Sequence, residues 1–515
     1  MSLRLTLIVL TLACFALPVW ADAIHSDSEL DAAIMRANEL YMDARFDDGI
    51  KLLQTMEASR PNSPAVSYFV ANGYWWKIFR VYVYEKNASN TAFEKDFNSN
   101  LDESIRRSQD LLDKNQNDLM GLFYMGNAYC LKSRVRGLQG SYFSASRDAA
   151  KGKKYLEQVV RIDQDQYDSF YNLGVYNYLA GALPGYAKFL KIFLFLPGGS
   201  KDKGLTMLDT AAKKSSYFSD EAKLLLARFY ADYEDRPADA VKIVDDYRHK
   251  YPNNAWFQFW SGTLYSDELN DYATAQKIYE EILVACNHGA PGFTAEVKNQ
   301  TWLKLARVFS RQLDPERAID ELQKLIATNP KEPQWILAKA YLELGNDYDV
   351  IGMRKEALAS YEKVLSLQDY RDYHDQAKKL MTSSYNQRQA DIYRMNLEGR
   401  KLAALGRFDE ANASFKKVLA KYPGNDQTQL AIAEMEYLKG SFKEATDLLN
   451  GLVAKHPKDP KWLLSAVYVK LGQVYQASAQ QAAAKRSYEK ALATDFIASD
   501  DRNQAKLALH AIGES

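Results

Sequence analysis

The chain has 515 residues, 47% of them hydrophobic and 12% aromatic, which supports a large packed interior and excludes a disordered chain. Lys plus Arg and Asp plus Glu both number 66, so no overall field draws the chain to nucleic acid or to an acidic surface. Any electrostatic preference has to be local.

Residues 1–21 carry Arg4, an uncharged run from Leu5 to Leu17, and then Pro18-Val19-Trp20-Ala21 ahead of Asp22. This is the pattern of a secretory leader cut after Ala21, and it predicts a mature chain in the periplasm or outside the cell. Thr11 stands three residues before Cys14, where a lipoprotein needs Leu or a similar residue, so no lipid anchor is expected. Cleavage leaves only Cys130 and Cys286, too few for a disulfide framework and expected to stay free. No later stretch reaches the ~20 apolar residues of a membrane-spanning helix.

Past the leader the chain repeats itself. Gly49 with Pro61, Ala240 with Pro252, Ala318 with Pro330, Ala411 with Pro423 and Ala445 with Pro457 each place a small residue a fixed distance before a proline. A small residue lets two helices approach closely, and the proline ends the second one. The fullest unit reads Tyr341-Leu342-Glu343-Leu344-Gly345, then Tyr348, Ala357, Tyr361 and Val364. It returns with the same spacing as Tyr468-Val469-Lys470-Leu471-Gly472, then Tyr475, Ala484, Tyr488 and Ala491. After the first comes Asp375–Leu380 and after the second Asn503–Leu509, a matching pair of capping helices. That echo divides the chain into blocks 24–386 and 387–515.

Three consecutive units are enlarged. Gly345 and Ala357 mark the usual interval between the close-packing positions, whereas Gly73 to Ser104, Gly126 to Gly152 and Gly174 to Gly204 are more than twice as long. The enlargements, at about 76–103, 130–151 and 181–203, fall at the turn within each pair and are expected to meet as a lobe on one edge of the stack. The third, ALPGYAKFLKIFLFLPGG over 182–199, is apolar nearly all round apart from Lys188 and Lys191. As a helix it is too short to cross a bilayer and wants burial, in this chain, in a partner or in a membrane surface. Phe189, Ile192, Phe193 and Phe195 are its apolar anchors, with Arg134 and Arg136 of the second enlargement as nearby cations.

These small and large positions resemble those of the tetratricopeptide repeat family. The resemblance implies an all-α, right-handed α-solenoid of about eleven such helix pairs with capping helices and three long intra-repeat insertions. It further implies that first helices line a concave groove, placing Phe123, Tyr171, Tyr178, Phe229, Phe257 and Trp260 inward in the earlier units. The later units would present Gln300, Arg307, Asn346, Asp349, Asn396, Arg400, Gln427, Glu434 and Gln473. The Lys and Asn pattern with which some members clamp a C-terminal carboxylate is absent from these positions.

No catalytic or metal constellation competes with a binding role. The six histidines lie far apart without metal-ligand spacing, Gly-x-Ser-x-Gly is absent, and Gly152-Lys153-Lys154 lacks the hydroxyl residue and upstream glycine of a phosphate loop. The sequence thus predicts no enzyme and no cofactor, but an exported protein–protein interaction scaffold or assembly factor of the cell envelope. Its partner is a protein or peptide and not nucleic acid; a membrane surface and a homo-oligomer are left open. Two alternatives stand beside it, a peripheral membrane-binding protein using 182–199 and a glycan-handling module of a polysaccharide export system.

Overall fold

The computed structural model describes residues 24–85, 92–182, 198–331, 333, 335–369, 372–382, 387–457 and 460–514. The leader and the apolar run containing Phe189, Ile192, Phe193 and Phe195 lie outside the described residues. Among those that are described, every regular element is a helix. The chain forms two compact units. The first takes residues up to Tyr41, Phe46–Trp76 and Ala92–Tyr217; the second takes Met42–Arg45, Lys77–Thr91 and everything from Phe218. The expected boundary at 386/387 therefore falls inside the second unit.

The first unit draws on α1 (Ser28–Met42), α2 (Phe46–Glu57), α3 (Pro64–Glu85), α4 (Glu94–Lys114), α5 (Leu119–Leu138), α6 (Tyr142–Ile162), α7 (Asp168–Ala182) and α8 (Lys201–Lys214). The enlargement at 130–151 is carried by the helices themselves. α5 and α6 are 20 and 21 residues long and pack along each other, joined by a short turn in which Gly140 takes φ 77°, a left-handed conformation that suits glycine. Along the extended part, Ser133 donates to the Ala145 carbonyl at 2.7 Å and Arg136 pairs with Asp148. The same unit is tied across a long sequence interval by Asp168, at the start of α7. Its buried carboxylate accepts from the Ser215 hydroxyl, from the Tyr217 amide at 2.7 Å and from His25 Nε2 at 3.0 Å.

The second unit begins with α9 (Ser219–Asp232), α10 (Pro237–Lys250) and α11 (Ala255–Thr263), which runs on into a π-helical turn, Leu264–Glu268. Next come α12 (Tyr272–Asn287), α13 (Ala295–Arg311), α14 (Pro315–Ala327), α15 (Trp335–Val350), α16 (Arg354–Ser366) and α17 (Tyr373–Thr382). α18 (Gln387–Ala404), α19 (Phe408–Lys421), α20 (Asp426–Lys439), α21 (Phe442–Lys455), α22 (Leu463–Ala477), α23 (Gln481–Leu492) and α24 (Ser499–Glu514) complete it. Pro252, Pro330, Pro423 and Pro457 each stand just beyond the end of a helix, as a residue that cannot continue one should. Pro237 and Pro315 instead open α10 and α14, where the missing N–H costs nothing.

Helix pairs lock through the small residues that the sequence marked. A Cβ added to Gly345 would lie 2.3 Å from the Tyr361 ring, and one on Gly472 2.4 Å from Tyr488. Tyr361 and Tyr488 are fully buried, each seated on its own pair's glycine. Both caps also form as expected: Tyr373 and Ala377 of α17 pack on Ala338, Leu342 and Tyr361, and Ala505 of α24 packs on Val469 and Tyr488. α18 then returns to contact α15, so the stack continues past α17 and the two blocks become one unit.

Overpacking typically costs about 1–3 kcal/mol, while Gly to Ala in an exposed helix gains up to about 1 kcal/mol. Gly345→Ala should therefore lower the unfolding midpoint in urea. Gly451→Ala, on α21 with nothing within 4 Å of the added carbon, should raise it. Equal shifts of the two would show that Gly345 does not set the helix separation.

Candidate functional site

In the second unit the first helices of successive pairs touch one another: α11 with α13, α13 with α15, α15 with α18, α18 with α20, α20 with α22, and α22 with α24. Their apolar stripes are spent on the second helices and on the neighbouring pairs, in the interior around Leu303, Leu305, Val308 and Ile336 and again around Leu430, Leu449, Val467 and Leu471. What the row leaves on its remaining face is polar. Arg400 of α18 meets Glu434 of α20 at 2.9 Å, and Gln473 of α22 donates to Gln504 of α24 at 2.9 Å. Arg307 of α13 reaches Glu343 of α15 only at 4.0 Å, because Glu343 is already held by Lys339 at 2.8 Å. The result is a ladder of charged and amide side chains running from one first helix to the next.

The ladder deepens between α13 and the π-helical turn. There Lys304, Arg307 and Arg311 share one face of α13 and wall a cavity of about 190 Å³ with Asp267, Tyr272 and Asp500. Lys304 pairs with Asp267 at 2.6 Å. Burial lowers the Lys304 ammonium below its ordinary value against the pull of Asp267. Burial would raise the Asp267 carboxyl, but the adjacent Lys304 outweighs it and holds the group below the usual range. Nearby, burial pushes the Asp347 carboxyl up to about 7, the Ser310 hydroxyl it accepts at 2.9 Å offsetting only part of this. Asp501 is likewise pushed up to about 6 by burial, with Asp500 adding to the effect.

The expected aromatic groove is not presented. Phe123, Tyr171, Tyr178, Phe229, Phe257 and Trp260 are all buried, with Phe123, Tyr178 and Phe257 having no accessible surface. Each has found partners inside the fold: Phe257 packs beside Tyr247 and Tyr251, Trp260 stacks on Trp256 at 5.0 Å, and Arg134 covers the Tyr171 ring at 4.7 Å. Burial of a large aromatic yields more than its exposure at a groove, so helical spacing alone could not tell the two apart. The glycan reading rested on that groove and loses its feature.

Arg134 and Arg136 of the expected lobe are engaged internally. Arg134 donates to Asn172 at 2.6 Å and Arg136 pairs with Asp148. Of the polar positions expected in the later units, Gln300 and Asn396 are buried, while Arg307, Asn346, Asp349, Arg400, Gln427, Glu434 and Gln473 keep part of their surface open. Lys304, Asp267 and Asp500 were missed. The spacing of Lys304, Arg307 and Arg311 on one helix was readable, but their partners come from elements too distant in sequence to be paired by inspection.

Models of the tetratricopeptide repeat match residues 300–332, 402–468 and 465–496. The chain carries tetratricopeptide repeats over these residues. Such repeats are those of a protein–protein interaction scaffold and are generally not catalytic. Similar solved structures include a tetratricopeptide repeat protein from Parabacteroides merdae ATCC 43184, 15% identical, which covers 56% of this chain and 99% of its own with a TM-score of 0.25. The human IFIT1 dimer with m7Gppp-AAAA is 13% identical, over 83% of this chain and 90% of its own, with a TM-score of 0.33. The tetratricopeptide domain of P58(IPK) is 13% identical, over 86% and 97%, with a TM-score of 0.21. Comparison with curated proteins gives no match. Among the described residues no helix is long and apolar enough to cross a membrane, and no group of three or more His, Cys, Asp or Glu could hold a metal ion.

Proposed function

We propose that this tetratricopeptide-repeat protein is an exported scaffold or assembly factor of the bacterial cell envelope, without enzymatic activity, that binds protein partners on the polar row of its second unit. The supporting observation is the ladder Arg307–Glu343, Arg400–Glu434 and Gln473–Gln504. Two of these rungs are partly open ion pairs and the third is an amide pair, and such groups complement a charged partner surface and set its register. The leader 1–21 supports export to the periplasm. Capture from envelope extracts on tagged protein should recover a defined partner, and Arg307→Gln with Arg400→Gln, which remove both cations without setting like charges together, should reduce its recovery at least tenfold with little change in the unfolding midpoint of the scaffold. Equal recovery on both forms would refute the assignment of this row.

A second reading is favoured by one feature of the first unit. Tyr142 and Phe143, at the turn between α5 and α6, are 67% and 52% exposed, and aromatic side chains at such a tip suit a membrane interface. Co-flotation with anionic vesicles that survives in the wild type and is lost in Tyr142→Ser with Phe143→Ser would support it. No flotation of the wild type would remove it.

A further inference from the structure

The last helix of the chain returns to a wall more than two hundred residues earlier. Asn503 of α24 donates to the Asp267 carbonyl at 2.7 Å, and Asn270 donates to the Asp500 carbonyl at 3.3 Å. The Asp500 carboxylate accepts from the Tyr272 hydroxyl at 3.0 Å and pairs with Arg311 at 2.8 Å, while Lys506 pairs with Asp235 at 2.7 Å. These bonds connect polar groups only. The apolar side chains of α24, among them Ala505, Ala508, Leu509 and Ile512, pack instead with Val469 and Tyr488 of the pair before it. None of them joins the apolar cluster that spans 255–344.

Contact of this kind is releasable. The two ion pairs are partly open to solvent, with exposures of 45% and 28% for Arg311 and Asp500 and 41% and 62% for Lys506 and Asp235. Open pairs contribute about 0–1 kcal/mol each and are screened by salt. Burial of apolar surface, which would make the contact permanent, is spent elsewhere. A cavity of about 190 Å³ lies against Lys304 and Arg307, and the Arg307 guanidinium has its nearest carboxylate at 4.0 Å. The π-helical turn Leu264–Glu268 forms one side of this seat, and such turns often mark sites of function.

We propose that the first turn of α24 is a built-in stand-in for an acidic helical segment of a protein partner, which docks on Tyr272, Arg307 and Arg311 by displacing it. The proposal rests on the scaffold reading and names the chemistry of its partner. An incoming acidic helix regains what Asp500 gives up and offers Arg307 a closer carboxylate than Glu343, which stands at 4.0 Å. Exchange therefore favours a partner whose segment is richer in carboxylates than the first turn of α24.

The test uses the purified full-length chain without any cellular partner, so its failure would leave the scaffold reading standing. Spin labels at Tyr233→Cys and Arg502→Cys, the latter exposed on the first turn of α24, with Cys130→Ala and Cys286→Ser, report the separation of the two elements by pulsed electron resonance. A single short distance is expected at low salt. It should give way to a longer, broader distribution in molar salt, in Asp500→Lys with Lys506→Glu, and on adding millimolar peptide with the sequence of residues 497–514. The same peptide with Asp500→Asn and Asp501→Asn should leave the short distance in place. A milder variant, Asn503→Ala with Lys506→Ala, gives the same readout if charge reversal impairs folding. A distance that salt and both variants leave unchanged, or that acidic and neutral peptides shift equally, would overturn the proposal.

Discussion

Asp168→Ala is expected to destabilise the first unit by about 3–5 kcal/mol, the range found when one partner of a buried charged network is removed. The Asp168 side chain is almost fully enclosed. It receives the Ser215 hydroxyl, the Tyr217 amide and His25 Nε2 at the point where α7 begins, so Ala leaves several buried donors without an acceptor. Each orphaned donor costs about 1–3 kcal/mol. Asn, which keeps one acceptor but presents an amide to the others, should fall between the wild type and Ala. Urea unfolding followed by tryptophan fluorescence and by hydrogen exchange at Tyr217 would separate the three proteins. A loss below about 1 kcal/mol for Ala would show that water replaces the carboxylate there without cost.

Asp347→Asn should stabilise the protein, and only at neutral to alkaline pH. Burial raises the Asp347 carboxyl from 3.8 to about 7 in the folded chain. Between those two values the folded state holds a proton that the unfolded state has released, so this group's contribution to stability falls as pH rises through the window and is flat above it. A tenfold change in proton affinity corresponds to about 1.4 kcal/mol, so the gain has a ceiling of about 4 kcal/mol at pH 8 and is close to none at pH 4. Asn can still accept from Ser310. Urea midpoints of the variant and the wild type should therefore diverge between pH 5 and pH 8. A gain of the same size at both would point to better packing instead of a relieved charge. Below about pH 4 both proteins lose stability together as carboxylates held near 2 by arginine or lysine neighbours are protonated, such as Asp27 beside Arg60 and Asp391 beside Lys421.

Local geometry was the legible part of the sequence. Gly345 with Tyr361 and Gly472 with Tyr488 are contacts between helices joined by a short turn, so their spacing is fixed and repeats. The echo of 375–380 in 503–509 was equally sound, since each helix covers the pair before it. The continuation of the stack past α17 was not legible, because α18 packs on α15 through a long-range contact that no periodicity encodes. The aromatics of the first helices illustrate a second limit: a helical stripe reports that a residue faces an apolar neighbour without saying whether that neighbour belongs to the same chain. Arg134 and Arg136 illustrate a third. Runs of basic residues resemble a free patch until their acceptors, Asn172 and Asp148, are brought alongside. The later polar positions fared better because charged residues on a first helix have few places to go except the open face.

The candidate wall itself divides along the same line. Arg307, Arg400 and Glu434 could be named because each sits at a repeated position on its own helix. Asp267 and Asp500, which give the wall its depth, lie on either side of a chain return and acquire their role only when α24 comes back to the π-helical turn. Their joint placement also links stability to binding. Charges held in a partly dry setting raise the cost of the empty state, and a complementary partner relieves it.

A photo-crosslinking residue in place of Arg307 in intact cells gives the most direct reading of how this surface is used, with Glu362, exposed on α16, as the comparison position. Irradiation should join one defined envelope protein to position 307 and none to position 362. Adducts confined to position 362, or none at 307 in cells that hold the folded protein in quantity, would contradict a partner-binding role for the inner row of helices.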